Sequence, residues 1–285
     1  MIVWLASYPK SGNTLVRSML AAYFFSEEGI YNFDLIKNIR QFPNIRLFEN
    51  IGIDIKNEKE VIKNYIKVQE IFNKKNSIQF LKTHSYLFNI DNYGFTDLKN
   101  SLGVIYIVRD PRNVVTSWSK FADVSIDKAA DTLINTTQFG GDLNVKEGSE
   151  RSMVHMGTWK GNFHSWKSFQ YQERYLLLKY EDLIVDREKT FLKILEFIYK
   201  LKKTKFDLDK TKFKNVLETT DFEKMKELEK KKGFFEAKIN KKTGQKIPFF
   251  NLGPKNKWKK KIPLKSQKDV NLYFENDLKK LDYFL

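Results

Sequence analysis

The chain has 285 residues, 41% of them hydrophobic, with no cysteine and a formal net charge of +16. That length can bury a full core, the missing cysteines exclude disulfides and thiolate metal sites, and no apolar run reaches the ~18 residues a membrane span needs. Arginine supplies only eight of the cations, so the excess is lysine, which suits a nucleic-acid or other anion-binding surface and equally a lysine-coated solvated exterior.

In chain order, Ile2–Ser7 (IVWLAS) is a near-continuous apolar run and predicts a strand covered on both faces. No basic segment precedes it and no small-residue cleavage site follows, so it reads as a strand and not as a leader peptide. With the absence of cysteine, this points to a cytoplasmic protein. The next residues, YPKSGNT, form a loop that opens into a helix over 14–25, with Leu15, Met19 and Tyr23 on one stripe. A helix N-terminus presents unpaired N–H groups and a positive dipole end. Gly12 permits close backbone approach, Lys10 adds a charge, and Ser11, Asn13 and Thr14 add donors, which together suit a phosphate or a group shaped like one. An ordinary strand-to-helix turn with a Ser or Thr cap uses the same residue types. A Walker A loop is not matched, because the lysine precedes the glycine and the first glycine is missing.

A second helix is predicted over 58–72, then a strand over 78–82 that ends in KTH. His84 in that position suits a general base, since imidazole titrates near neutrality, with Lys82 on the same strand face to orient it or polarise an acceptor; a strand-end histidine satisfied by the backbone is the plainer alternative. A further strand is predicted over 104–108, followed by RDPRNVVTSW. Arg109 at the strand's end can grip a phosphate with two N–H groups, Pro111 starts a helix, and Ser117 lies two turns along the same face. The alternative is a surface pair of Arg109 with Asp110. Helices follow over 113–121, 125–138 and 154–171, a strand over Tyr175–Lys179, and helices over 187–199, 221–231 and 266–281. Strands alternating with helices define an α/β fold, three layers around a central, mainly parallel sheet. No linker divides the chain, so a single domain over 1–285 is expected, with a long loop-rich stretch near 232–262.

The stretches YPKSGNT, KTH, VRDPRNVVTSW, KYEDL and TTDFEKM, in that order, resemble the cytosolic-type sulfotransferases, a family with a P-loop-like fold. The resemblance implies transfer of a sulfuryl group from 3'-phosphoadenosine 5'-phosphosulfate (PAPS) to a hydroxyl or amine of a small-molecule or glycan acceptor, with no metal. It places Lys10, Ser11, Gly12, Asn13 and Thr14 on the 5'-phosphosulfate and Arg109 and Ser117 on the 3'-phosphate. Tyr180, Thr220 and Phe222 would lie near adenine and Gly253 at the C-terminal phosphate element. His84 would be the general base, Lys10 would stabilise the leaving group, and Lys82 would assist.

The sequence also departs from the family. Leu15 stands where the family has a base-stacking Trp, and NLG at 251–253 replaces Arg-Lys-Gly, leaving Lys255 or Lys257 to supply the charge. KSQKDVNLYFE does not match the family's dimer motif, so oligomeric state stays open. Acceptor contacts are expected from loops 86–95, 139–151 and 234–248, with Phe88, Tyr93 and Phe95 as candidate ring contacts that serve equally as packing residues. Two other classes compete: a P-loop-type phosphotransferase using ATP and Mg²⁺, and a nucleic-acid-binding protein, disfavoured because the aromatics fall in helical core patterns. Glu181 and Asp182 read as structural, and His155 and His164 lack companions at metal-ligand spacing.

Overall fold

The computed structural model describes residues 1–74, 77–135, 154–239 and 244–283. Its elements in chain order begin with β1 (Ile2–Ser7), α1 (Asn13–Phe25), β2 (Arg40–Gln41), α2 (Ile45–Glu49), α3 (Glu58–Lys63), α4 (Tyr65–Asn73) and β3 (Gln79–Thr83). A short hairpin of β4 (Asn89–Ile90) and β5 (Tyr93–Gly94) precedes β6 (Ser101–Val108), α5 (Pro111–Ala122), α6 (Ile126–Asn135) and α7 (Trp159–Ser165). Then come β7 (Tyr175–Lys179), α8 (Tyr180–Val185), α9 (Arg187–Lys202), α10 (Lys210–Thr219), α11 (Phe222–Lys232), the small pair β8 (Lys238–Ile239) and β9 (Lys246–Ile247), and α12 (Leu264–Lys280).

Five strands form one sheet in the order β2-β3-β1-β6-β7, every pairing parallel. Their side chains alternate between two apolar layers. Ile2, Trp4, Ala6, Val104 and Tyr106 face one side, packing on Val114, Leu133, Trp159 and Phe274 from α5, α6, α7 and α12 and on Trp166 just after α7. Val3, Leu5, Ile105, Ile107 and Leu178 face the other, packing on Met19, Leu20, Phe191, Ile194 and Val216 from α1, α9 and α10. Burial on both faces explains why these strands read as unbroken apolar runs rather than alternating ones.

The expected helix over 58–72 is two helices, α3 and α4, turning at Asn64, whose φ of −99° and ψ of 6° leave the helical region. The expected helix over 154–171 is shorter: α7 begins at Trp159, capped by the Thr158 side chain, and passes into a 3-10 turn at Trp166–Gln172. Residues 136–138 of the helix expected over 125–138 lie outside the described residues. β2, α2, the β4–β5 and β8–β9 pairs, α8 and α10 add to the expected elements; strands of two residues and helices of five or six, as in α2 and α8, carry too little pattern to read. The 232–262 stretch carries the β8–β9 hairpin and two 3-10 turns. Among the described residues, no helix is long and apolar enough to cross a membrane.

Candidate active site

All five strands run in parallel, so their C-terminal ends share one rim, and the loops there enclose a cleft of about 2030 Å³. Single-ligand pockets span roughly 300–1,000 Å³, so there is room for two reactants. Lys10, Gly12, Asn13, Thr14, Leu15, Lys82, His84, Arg109, Ser117, Tyr180, Phe222 and Gly253 all line it.

The loop after β1 is shaped by left-handed backbone at Lys10 (φ 69°) and at the α1 cap, Gly12 (φ 97°). A Cβ on Gly12 would lie 2.4 Å from the Tyr180 ring, so this position has no space for a side chain. Asn13 is the loop's staple rather than a ligand-facing amide: its Nδ2 donates to the Leu5 carbonyl at 2.9 Å and the Ser7 hydroxyl at 3.1 Å. Ser11 is fully buried and its hydroxyl has no protein partner. The Lys10 ammonium sits over the rings of Phe121 (4.1 Å) and Phe249 (4.7 Å).

Arg109 follows β6. Its guanidinium donates to the Lys10 carbonyl at 3.0 Å and the Gly253 carbonyl at 3.4 Å, stacks 4.2 Å over the Tyr180 ring, and keeps Nε without a protein partner. No pair forms between Arg109 and Asp110. Asp110 instead caps α5 through the Arg112 N–H and holds the Arg112 guanidinium at 2.8 Å. Gly253 is a second crowded glycine, where a Cβ would meet the Phe222 ring at 2.3 Å.

Thr220 does not line the cleft. It ends α10, fully buried, with its hydroxyl donating to the Val216 carbonyl at 2.6 Å, so the helix consumes the donor expected near a base. Nor do the expected lysines complete the Gly253 element. Lys255 is exposed and paired with Glu223 at 3.2 Å, and Lys257 is not at the cleft wall. Lys120 lines the cleft and donates to Asn251 at 3.0 Å. Lys261 packs close by: its ammonium is pushed below its usual range by burial first, then by Lys120 and Arg109. Lys120 could have been read in the sequence, since it lies one helical turn after Ser117 on the same face of α5.

At the end of β3, His84 Nδ1 lies 2.8 Å from the Ser7 carbonyl. A carbonyl only accepts, so Nδ1 carries the proton and Nε2 keeps its lone pair. Burial, then the neighbouring Lys82, push this imidazole well below its usual pKa, to about 3, so it is neutral. Lys82 is lowered to about 8, by burial first, against a supporting carboxylate from Glu236 at 3.7 Å. Burial alone would raise Glu236; Lys82 and Arg17 outweigh it and hold the carboxyl at about 2. The Arg17 guanidinium binds Glu236 at 2.6 Å and the Ile39 carbonyl at 2.9 Å. Neither Arg17 nor Glu236 was anticipated as a site residue; an arginine inside an apolar helix stripe was the available signal.

The aromatic loop residues resolve differently. Phe88 and Phe95 are buried in the core, with Phe95 edge-on to Tyr65 and Trp166, and Tyr93 does not reach the cleft. Of the loops expected to contact an acceptor, 234–248 contributes Phe235, Glu236, Ala237, Ile247 and Pro248 to the cleft lining, which also includes Val154, Met156 and, from the β2–α2 region, Ile39, Arg40, Gln41, Asn44 and Leu47. Loop 139–151 lies outside the described residues. Glu181 is structural: its carboxylate accepts from Tyr283 and from the Asp110 N–H, and burial raises its pKa. His164 pairs with Asp277 at 2.7 Å, and among the described residues no three His, Cys, Asp or Glu groups gather as a metal site.

Comparison with known proteins follows the same lines. The sulfotransferase domain model matches residues 2–282. Sulfotransferase 2A6 of Mus musculus is 31% identical over 126 residues, and 3-alpha-hydroxysteroid sulfotransferase of Cavia porcellus is 33% identical over 128. Each alignment covers 44% of this chain and only 39% of the relative. Mouse sulfotransferase SULT7A1 complexed with PAP superposes over 99% of this chain and 84% of its own, with a TM-score of 0.58 at 16% identity. Retinol dehydratase in a complex with retinol and PAP does so over 98% and 81%, also at 0.58 and 16%, a likeness of fold. With the family model running nearly end to end over the sheet and the loops after β1 and β6, the chain belongs to the sulfotransferase domain family.

Proposed function

We propose that this chain transfers a sulfuryl group from PAPS to a hydroxyl or amine of an acceptor. The observation that carries the reading is that Lys10 and Arg109, in the loops after two different strands, share one cleft and are joined by a hydrogen bond. The residues fit an adenosine bisphosphate group on their own evidence. The buried Ser11 hydroxyl and the Arg109 Nε both lack protein partners, and Gly12 and Gly253 hold backbone where any side chain would collide with an aromatic ring.

In this reading Lys10, Ser11, Thr14 and the first N–H groups of α1 hold the 5' end, while Arg109, Ser117 and Lys120 hold the 3'-phosphate. Tyr180, Phe222 and Leu15 border the base, Phe222 and Leu15 standing in for a stacking Trp. Bound there, the donor would supply the sulfuryl group. His84 Nε2 takes the acceptor's proton; the Ser7 carbonyl keeps the ring in the tautomer that allows it. Lys82 lies on the same strand face and offers a cation to the acceptor oxygen, and Lys10 faces the charge that grows on the leaving side. Three cations and a helix N-terminus supply the neutralisation for which kinases recruit Mg²⁺.

Calorimetry with 3'-phosphoadenosine 5'-phosphate (PAP) tests this. Tight binding without metal is expected, weakened about tenfold or more by Lys10→Ala. Binding of ATP with Mg²⁺ in place of PAP would instead make the protein a phosphotransferase.

A further inference from the structure

We propose that Asn162, on α7, is a positioning residue for the transfer, its one amide fixing His84 and the cleft wall at Met156 as a single unit. This deepens the reading above and rests on His84 being its base.

The main chain leaving β3 is gripped by side chains from the α7 region. Asn162 Nδ2 donates to the His84 carbonyl at 2.9 Å, and Trp166 Nε1 to the Ser85 carbonyl at 3.0 Å. The Leu87 N–H donates to Ser165 Oγ at 2.8 Å. Positions 162, 165 and 166 stand three and four residues apart, so they share one face where α7 passes into its 3-10 turn. The Ser165 hydroxyl donates to the Asn162 carbonyl at 2.8 Å, which ties that face together.

Asn162 reaches further than this segment. Its Nδ2 also donates to the Met156 carbonyl at 2.8 Å, and its Oδ1 accepts from the Tyr106 hydroxyl at 2.8 Å. Carbonyls only accept, so the orientation of the amide is forced and both of its N–H groups are used. The residue is fully buried, where a polar group left unpaired is costly. Met156 and Val154 line the same cleft as His84. The Tyr86 N–H donates to the His155 carbonyl at 2.8 Å, so 154–156 runs beside the chain leaving β3.

The His84 ring is held separately, from β1. Its Nδ1 lies 2.8 Å from the Ser7 carbonyl and 3.2 Å from Ser7 Oγ, and Asn13 Nδ2 donates to that same Oγ. With the ring tethered at Ser7 and the main chain at Asn162, the Nε2 lone pair has a fixed place relative to the Met156 wall. Reacting groups misplaced by ~1 Å cost about 100-fold in rate, which is the purpose such a clamp serves. Ser7 sets which nitrogen is the base; Asn162 sets where it stands.

The test is ¹H–¹⁵N spectroscopy of the ¹⁵N-histidine-labelled protein, whose three histidines are assigned by single substitutions. In the unaltered protein the His84 ring is expected as one Nδ1–H tautomer, neutral down to about pH 5 beside its charged neighbours Lys82, Glu236 and Arg17. In Asn162→Ala both tautomers are expected, with the titration moved up toward the ordinary 6.5. PAP affinity by calorimetry, which also reports folding, stays within about twofold. Ser165→Ala opens the same clamp and carries the same expectation should Asn162→Ala not fold. Tyr106→Phe is the comparator: it removes the partner of Asn162 Oδ1, keeps both N–H contacts, and leaves the His84 signals unchanged. Parent-like His84 signals in folded Asn162→Ala, or an equal disturbance in Tyr106→Phe, overturn the inference and leave the donor reading intact. A loss of PAP affinity in Asn162→Ala makes the residue a general prop and overturns it as well. Absence of PAP binding in the unaltered protein removes the donor reading itself, while the His84 spectra still decide the positioning.

Discussion

The Arg109 guanidinium donates to the main-chain carbonyl of Lys10 across 3.0 Å, so the loops after β1 and β6 form one structural unit. The same guanidinium reaches Gly253 and lies over Tyr180, which gathers four parts of the chain on one planar group. An ammonium cannot repeat that geometry. Arg109→Lys is therefore expected to weaken PAP binding about tenfold and lower the thermal midpoint by about 2–6 °C, although the charge is kept. Unchanged affinity in calorimetry would reduce Arg109 to a simple point charge.

For His84, the Ser7 carbonyl accepts from Nδ1 and leaves Nε2 with the lone pair that the proposed base needs. Substitution by Ala should lower kcat by about 10²–10⁴-fold while PAP affinity moves by less than about twofold. A parallel fall in both quantities would show that the ring props the loop rather than moving a proton.

The pH profile follows from the neighbouring charges. His84, held well below its usual pKa of 6.5, stays neutral through the mildly acidic range, so the acid limb of kcat/KM should fall below pH 6.5. Lys82, lowered to about 8, should set an alkaline limb near that pH. Glu236 supports the Lys82 cation, so Glu236→Gln is expected to shift the alkaline limb to lower pH. A profile of the variant that matches the parent would detach Lys82 from the rate.

Glu236 also links pH to stability. Its carboxyl is held at about 2 against an ordinary 4.5, so the unfolded chain takes up a proton first as pH falls. The contribution is complete above about pH 4.5 and is lost progressively towards pH 2, measurable as a fall in thermal midpoint over that window that Glu236→Gln diminishes.

Gly12 offers a steric test. Its φ of 97° is unfavourable for any side chain, and a Cβ there would strike the Tyr180 ring at 2.4 Å. Gly12→Ala should destabilise the fold by roughly 1–3 kcal/mol and weaken PAP binding. Tyr180→Ala in that background should recover part of the stability, since it removes the clash though not the strained backbone; additive losses in chemical denaturation would argue against the contact.

What the sequence alone carried was local. Strands covered on both faces announce themselves as apolar runs, and the two loops proposed to bind anions are contiguous strings whose lysine, glycine and arginine lie within a few residues of a strand's end. A periodic pattern cannot report a turn that keeps the stripe in phase, so the break at Asn64 stayed hidden. Nor could it tell that the donors of Thr220 and Asn13 are spent on Val216 and Leu5. The tertiary structure decided the rest of the site: Glu236 meets Arg17 from 219 positions away, Lys120 turns toward Asn251, and an edge strand too short to leave a pattern pairs Arg40 with Leu81 and Gln41 with Lys82. Those meetings depend on strand order and on how helices pack over the rim, and side chains brought together across such separations leave no periodic trace along the chain.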